Sequence, residues 1–422
     1  MSNRTAIERI PWAIVSRALL PFALGYFMSY LFRAVNQVIA PDLIAELALS
    51  PGELGRLTAA YLFGFTLFQL PLGLLLDRFG PRRVQTGLLL VSATGAAHFS
   101  LAPDPWSLTI ARGILGLGLS GCLMSAFKAN AIWLPMSRVA LGNAATVAIG
   151  ALGVVTATRP ADWLAQLIGW RTMFDLLAAA TLGVALLIFL CVPKTQPGMQ
   201  RSMAGAADGF GAQLRVVGRI AVDPHFWRVA PMIATMSGAF IAIQTLWAGR
   251  WLSDVVGLDR ASVVDVLLCM AIGFVIGSLT TGWIADRVQR RGLTIELVVG
   301  CSFLAFALSQ LLIIVHAPIP PALPWVLFGF AGQAGNLGYA SLAAYFGTNT
   351  AGRAQSTANL LLFATAWALQ WGIGAVLDLF AGPIEGSVDP AGYCWAFGGV
   401  LALQVLAVIW YLRANRRVKS AE

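Results

Sequence analysis

Charged side chains are scarce in this chain of 422 residues, where Asp, Glu, Lys and Arg together make up 11% of the sequence. Soluble proteins carry about 25% charged residues, because a surface in contact with water needs them. Hydrophobic residues reach 58% here. These proportions exclude an ordinary water-soluble protein and predict a chain that is embedded in a lipid bilayer.

Long segments of the sequence have no charged residue at all. A helix needs about 20 predominantly apolar residues to cross the hydrocarbon core of a bilayer. The uncharged segments near or above this length are 57–76, 84–103, 139–158, 176–193, 229–249, 266–285, 297–352 with a turn at 318–321, 354–377 and 390–412. Two more apolar segments, 14–39 and 113–134, are interrupted away from their ends only by Arg33 and Lys128. Together these segments predict twelve membrane-spanning helices.

The sequence also lacks the clusters of side chains that metal sites and active sites use. Its five Cys are scattered without pair spacing, and its three His are dispersed. We therefore expect no disulfide framework, no metal site, no cofactor and no enzymatic activity.

Acidic residues are absent from the middle of every predicted span. A proton-coupled carrier usually needs a titratable group in its cavity, and a sodium-coupled carrier needs oxygen ligands. In a membrane carrier with such spans, the mode of coupling would stay open among a proton carried by the substrate, an exchange of anions, and facilitated diffusion.

Basic residues give the chain a net charge of +9, and 20 of its 28 Lys and Arg residues fall in alternate loops or near the termini. Loops rich in Lys and Arg stay in the cytoplasm. We therefore expect an integral plasma-membrane protein, in the inner membrane of a bacterium, with both termini in the cytoplasm. The basic residues form no clustered face, so no nucleic-acid partner is expected.

A hydrophilic stretch at 194–225 divides the chain near its middle. It predicts an N-terminal six-helix half over 1–193, a cytoplasmic linker over 194–225 and a C-terminal six-helix half over 226–422. The halves match at an offset of 209 residues, which aligns Asp77 with Asp286. Parallel repeats of six spans are typical of transporters whose substrate site lies between the halves, near the middle of the membrane.

Several sequence motifs carry a family resemblance. Residues 73–83 read GLLLDRFGPRR, and residues 282–291 repeat the pattern as GWIADRVQRR. Residues 112–118 read RGILGLG, and residues 169–171 read GWR. These motifs resemble those of the major facilitator superfamily in the loop after helix two, in helix four and before helix six. The resemblance implies an all-α membrane protein of twelve helices in two six-helix halves, working as a secondary carrier by alternating access.

One motif of the superfamily is missing. Drug/proton antiporters are expected to carry the pattern G-x-x-x-G-P-x-x-G-G in helix five, whereas residues 150–160 read GALGVVTATRP. The departure weighs against multidrug efflux.

The resemblance also implies a gate at the loop after helix two. Asp77 is expected to engage the start of helix eleven, near 352–354, when the carrier opens outward. Gly73 lacks a side chain and would let another helix approach closely. The residues predicted to act in gating are Gly73, Asp77, Arg78, Arg82, Arg83, Arg112, Gly282, Asp286 and Arg287. The alternative for each loop Arg is that it only sets the orientation of the chain in the membrane.

Arg33 and Lys128 are the only charges deep within predicted spans. An ionisable residue at such depth costs at least about 2.5 to 3.5 kcal/mol and normally faces a cavity or a partner. Because no acid accompanies them, we expect both to be unpaired and to share a substrate with a carboxylate, phosphate or sulfonate. Snorkelling to the interface or a structural ion pair is the alternative. The other predicted substrate contacts are Tyr30, Asn36, Gln37, Gln244, Gln333, Asn336 and Gln370.

These expectations describe a monomeric carrier in the lipid bilayer whose partner is a small-molecule substrate, an organic anion, with a proton or a counter-anion open as the coupling partner. Two alternatives remain: a drug or metabolite efflux carrier, and a transporter-like receptor that binds without translocating. Uptake into proteoliposomes separates a carrier from a receptor, since a receptor would bind its ligand without accumulating it.

The first prediction concerns topology. An epitope inserted into the linker at 194–225 should react with antibody only after the cells are permeabilised, because the basic loops place this stretch in the cytoplasm. Immunolabelling of intact and permeabilised cells measures this. Labelling of intact cells would contradict the predicted orientation.

Overall fold

The computed structural model describes residues 14–193, 210–291, 295–332, 335, 338–382 and 387–419. These residues are almost entirely helical. The helices of the first half are α1 (Leu20–Ala34), which follows a π-helical turn (Val15–Leu19), α2 (Asn36–Leu47), α3 (Pro51–Leu101), α4 (Pro105–Leu119), α5 (Cys122–Trp133), α6 (Met136–Thr156), α7 (Arg159–Ile168) and α8 (Trp170–Cys191). The predicted linker contains α9 (Phe210–Val222). The helices of the second half are α10 (Pro224–Ala242), which runs into a π-helical turn (Ile243–Trp247), α11 (Ala248–Asp254), α12 (Arg260–Arg290), α13 (Ile295–Ile314), α14 (Ala322–Ala331), α15 (Gly338–Asp378) and α16 (Pro390–Lys419).

The prediction of twelve spans is confirmed. Within the described residues, nine helical segments are long and apolar enough to cross a bilayer, and two shorter apolar helices lie at Gly300–Ile314 and Ala322–Ala331. One of the nine, α3, has 51 residues and crosses twice, because a helix rises about 1.5 Å per residue and the hydrocarbon core is about 30 Å thick.

Glycines make the two sharpest turns. Gly80 divides α3 with φ 77° and ψ 162°, and Gly347 divides α15 with φ 70° and ψ 170°. Glycine adopts positive φ without the steric cost that a Cβ brings. Pro81 follows Gly80 and starts the next span, since proline fits the first position of a helix. In the matching segment of the second half, α12 continues as a helix to Arg290.

The GWR motif ties three helix ends together. The Trp170 indole N–H donates to Glu46 Oε2 over 2.8 Å, and Arg171 Nη2 lies 2.7 Å from Glu46 Oε1. Arg171 Nη1 also donates to the carbonyl oxygens of Ser100 and Ala102 over 2.7 and 2.9 Å. Carbonyls at the end of a helix have no partner within it, so the Arg171 side chain satisfies the end of α3 while it holds the end of α2.

Glycines also allow α3 and α4 to cross closely. A Cβ built at Gly116 would collide with the backbone carbonyl of Tyr61, and one built at Gly64 would collide with the backbone carbonyl of Gly113. Small residues at such crossings let helix backbones approach, and this packing drives helix association in a bilayer. Both positions therefore require glycine for a packing reason.

Ion pairs between side chains join the two halves at one end of the molecule. We call the end where α8 ends and α9 begins the linker end, and the opposite end the far end. At the far end, Arg260 at the start of α12 donates from Nη1 to Asp42 Oδ1 over 2.6 Å and from Nε to Asp162 Oδ1 over 2.7 Å. This far-end ion cluster links α12 with α2 and α7. The conformation is therefore closed at the far end.

A second prediction follows from the α3–α4 crossing. Gly116→Leu should destabilise the protein by about 3 kcal/mol or more, because its side chain must displace the Tyr61 backbone. Gly87→Leu is the matched control on α3, where no described atom lies within 4 Å of the added Cβ. Thermal unfolding of both variants in the same detergent measures the difference. Equal melting temperatures would contradict the close crossing.

A third prediction follows from the far-end ion cluster. Arg260→Gln should shift the protein toward a conformation open at the far end by about tenfold or more, because buried Asp162 loses its cation. Spin labels at exposed positions 103 and 319, in a background without native Cys, would report a longer distance. Arg159→Gln is the control, since the Arg159–Asp265 pair spans 3.5 Å with both side chains about half exposed. An unchanged distance in Arg260→Gln would contradict the gate.

Candidate functional site

A cavity of about 490 Å³ lies between the two halves. Its lining comes from α1, α3 to α6, α10, the turn after α10, α12 and α15. It reaches Gly352 and Ser356 at the linker end, and both residues are exposed. Since the far end is closed by the ion cluster, the cavity is accessible from the linker end.

Arg33 provides the positive charge of this cavity. It is only 8% exposed, and its guanidinium carbon lies 5.0, 5.2 and 5.3 Å from the ring centroids of Tyr30, Phe65 and Phe363. Its Nε has no hydrogen-bond partner, and no carboxylate among the described residues lies within ion-pair distance. Aromatic faces attract a cation but do not neutralise it. Arg33 is therefore a cation surrounded by aromatic rings, and a bound anion would stabilise it.

The face of α1 explains why these residues meet. Tyr26, Tyr30 and Arg33 follow one another at steps of four and three, so they lie on one side of the helix. All three line the cavity, as does Gln244. Of the predicted substrate contacts, Arg33, Tyr30 and Gln244 therefore lie together in the cavity lining.

Gln244 lies on the π-helical turn Ile243–Trp247. It is 3% exposed and lines the cavity, and its Nε2 has no partner among the described residues. Ser237 lies seven residues earlier on the same face, is 7% exposed, and has an Oγ that is likewise unpartnered. A π-helical turn inside an α-helix is often found at a functional site. The seventh span thus offers polar groups to whatever occupies the cavity.

Lys128 does not join Arg33. Its Nζ lies 2.5 Å from Asp77 Oδ1, and it is not among the residues that line the cavity, although its neighbour Phe127 is. The expectation that Lys128 is unpaired is therefore wrong, and in this conformation Lys128 does not line the cavity with Arg33. No acid lies in the middle of a predicted span, but the long Lys128 side chain reaches an acid at the end of one. In this conformation Asp77 is held by α5.

Asn36 and Arg112 form a buried network beside the cavity. Arg112 is 1% exposed, donates from Nη1 to the Phe32 carbonyl over 2.9 Å and also donates to Asn36 Oδ1. Asn36 Nδ2 donates to Thr58 Oγ1 over 2.5 Å. The helical hydrogen bonding is interrupted at Val35 between α1 and α2, and Arg112 bonds the Phe32 carbonyl there. Neither Asn36 nor Arg112 lines the cavity.

Gln370 serves the second helix break in a similar way. With its amide N–H₂ as donor, it bonds the Ala242 carbonyl over 2.7 Å and the Thr245 hydroxyl over 3.2 Å. The Thr245 hydroxyl already donates to the Ile241 carbonyl over 2.8 Å, which leaves it as an acceptor. Gln37 is 4% exposed, packs near Gly249, and does not line the cavity. Both amides lie outside the cavity.

The arginines predicted to act in gating in the loop after the second span, Arg78, Arg82 and Arg83, lie on the linker end. Arg82 donates to the Phe189 carbonyl from Nε over 3.1 Å and from Nη2 over 2.5 Å, which ties the loop after the second span to α8. Arg78 lies over the Phe79 ring, and Arg83 is exposed. No described atom lies within 4 Å of a Cβ at Gly73, so the expected close approach is absent in this conformation, where the cavity is accessible from that end.

The matching segment of the second half, at 282–291, is only partly described. Arg287 is exposed and lies 5.4 Å from the Trp283 ring centroid. The surroundings of Gly282 and Asp286, and the residues Gln333 and Asn336 altogether, lie outside the described residues. These four expectations stay predictions.

Several residues that line the cavity are not among those predicted from the sequence. Ser237 was detectable, because it precedes Gln244 by two helical turns on an otherwise apolar face. Asn359 accepts a hydrogen bond from the Tyr339 hydroxyl over 3.2 Å and lines the cavity. Phe65 and Phe363 had no sequence signal, since an aromatic residue in an apolar span is ordinary packing.

Comparison with known proteins identifies relatives among transporters. The chain is 23% identical over 275 residues to a probable sulfoacetate transporter of Cupriavidus necator, a match that covers 64% of each chain. It is 26% identical over 387 residues to a gentisate transporter of Corynebacterium glutamicum, covering 86% of this chain and 80% of that one.

The fold is similar to that of solved transporters. A bacterial homolog of the human lysosomal transporter Spinster, in an inward-facing and occupied conformation, aligns with a TM-score of 0.69 and 18% identity over 94% of this chain and 96% of that one. The family model that matches residues 22–375 is that of the Major Facilitator Superfamily. Most of the sequence lies within this match, and the twelve-span fold agrees with it, so the chain belongs to the Major Facilitator Superfamily and is a membrane transporter.

Proposed function

We propose that this transporter carries a small organic anion whose carboxylate or sulfonate binds Arg33. The observation that supports the proposal is the cation itself, which is 8% exposed, faces the cavity between the halves, and has no carboxylate partner among the described residues. An uncompensated cation in a low-dielectric site is costly, and an anionic substrate would offset that cost. A planar guanidinium also matches the two oxygens of a carboxylate or sulfonate.

The names of the relatives favour the same chemistry. Sulfoacetate and gentisate are organic acids that are anions at neutral pH, and both names belong to proteins that resemble this chain over most of its length. At about one identical residue in four, the resemblance supports the class of substrate and leaves its identity to experiment.

The proposed mechanism is alternating access around Arg33. If both termini lie in the cytoplasm, the conformation with a closed far end and an accessible linker end is inward-facing. Opening the far end then requires the Arg260 bonds to Asp42 and Asp162 to break. We infer that Asp77 leaves Lys128 during the same transition, because the family resemblance assigns it to helix eleven in the outward-open state.

The fourth prediction tests the anion site. Arg33→Gln should weaken binding of the substrate anion by about 100-fold, because a charge-assisted bond is worth roughly 1.5 to 3 kcal/mol. Arg33→Lys should weaken it by about tenfold, since the charge remains and the two-pronged contact is lost. Ligand-induced shifts in melting temperature across a panel of carboxylates, sulfonates and cationic drugs measure binding.

Lys128→Gln is the matched control, because it removes a cation that pairs with Asp77 outside the cavity lining. It should change the balance of conformations and leave the preference for anions intact. Uptake of the bound ligand by proteoliposomes distinguishes a carrier from a receptor. Tight binding of a lipophilic cation, or normal anion binding by Arg33→Gln, would overturn the proposal.

A further inference from the structure

Aromatic rings from both halves flank the cavity beside Arg33. Tyr30 of the first half and Phe274 of the second have ring centroids 5.9 Å apart, and Phe65 and Phe363 bridge the halves at 4.3 Å. Phe240 stacks on Phe274 at 5.4 Å with only 7° between the ring planes. All five rings line the cavity. Flat apolar walls of this kind favour a flat apolar body, because ring faces pack in offset or edge arrangements.

The charge of the cavity sets a limit on the ligand. Arg33 is the cavity-lining cation among the described residues, and Lys128 is neutralised by Asp77 outside the lining. A ligand with a single negative charge would be balanced by Arg33. A second carboxylate on the same ligand would be buried without a counter-charge, which is costly.

The seventh span supplies uncharged polar groups that face the ligand cavity. Gln244 Nε2 is a buried donor, and the Ser237 hydroxyl lies two turns away on the same face. Neither group has a hydrogen-bond partner within the part of the chain that the structure describes. A buried donor that stays unpaired has lost its bond to water without gaining another, which is unfavourable. An acceptor oxygen on the ligand would remove that cost. An apolar ligand atom in its place would not.

We propose that Gln244, assisted by Ser237, determines specificity by binding an uncharged oxygen of a ring-containing monoanion whose acidic group binds Arg33. This inference rests on the proposed function and narrows it to oxygen-substituted monocarboxylates or monosulfonates with a planar ring. The volume of about 490 Å³ accommodates such a ligand, since small-molecule sites commonly measure about 300 to 1,000 Å³.

The experiment compares two probes of nearly the same shape, para-hydroxybenzoate and para-methylbenzoate. The full-length protein in detergent should bind para-hydroxybenzoate about 5- to 20-fold more tightly, because only the hydroxyl can satisfy the buried polar groups. Benzene-1,4-dicarboxylate, a dianion of similar length, should bind at least tenfold more weakly than para-hydroxybenzoate. Isothermal titration gives the three dissociation constants.

Gln244→Met keeps the length of the side chain and removes its donor. It should reduce the preference for the hydroxyl probe to about threefold or less, through weaker binding of para-hydroxybenzoate and unchanged binding of para-methylbenzoate. Ser237→Ala should reduce the preference by a smaller factor and serves as the second variant if Gln244→Met does not fold. If Gln244 had only a structural role, Gln244→Met would weaken the binding of both probes equally.

The outcomes separate this inference from the proposed function. If the unaltered protein binds both probes equally well and Arg33→Gln binds neither, the role of Gln244 is overturned and the anion site is supported. Binding of aliphatic acids but of neither ring probe would overturn the ring-containing class. Binding of either probe that does not depend on Arg33 would overturn the proposed function itself.

Discussion

Hydrocarbon cannot solvate a charge, so each ionised side chain inside this protein must find its partner within the protein or in a ligand. Arg112 finds the Phe32 carbonyl and Asn36, and Lys128 finds Asp77. Arg33 finds aromatic faces and no carboxylate among the described residues. This difference separates Arg33, which faces the cavity, from the cations of the framework, and the proposed anion site rests on it.

Two interrupted helices deliver the polar groups of the site. The first span breaks at Val35, just after Arg33, and the seventh contains the π-helical turn that carries Gln244. Each interruption leaves backbone groups that lipid cannot satisfy. Side chains from neighbouring helices form hydrogen bonds with these groups, Arg112 at the first interruption and Gln370 at the second. These hydrogen bonds allow irregular backbone beside the cavity at the depth of the membrane.

The sequence predicts the spans well, because the thickness of a bilayer imposes a length that hydropathy reveals. It also predicts that Arg33 faces a cavity, since a cation far from the ends of an apolar span is costly unless it meets a cavity or a partner. It fails for Lys128, whose partner depends on how α5 is rotated against the end of the second span. Asn36 and Gln370 show the same limit: an amide in an apolar span needs a partner, but sequence alone does not tell whether that partner is backbone or ligand.

The far-end ion cluster gives the transporter a dependence on the solution outside that end. One guanidinium holds α12 against both α2 and α7, so its two carboxylate contacts separate together when the halves part. Arg260 and Asp42 are each 30% exposed, so dissolved salt reaches the cluster and screens part of its attraction. Asp162 is almost fully buried and is screened much less. Ionic strength on that side would thus tune how often the far end opens, while the buried carboxylate draws Arg260 back and restores the closed end.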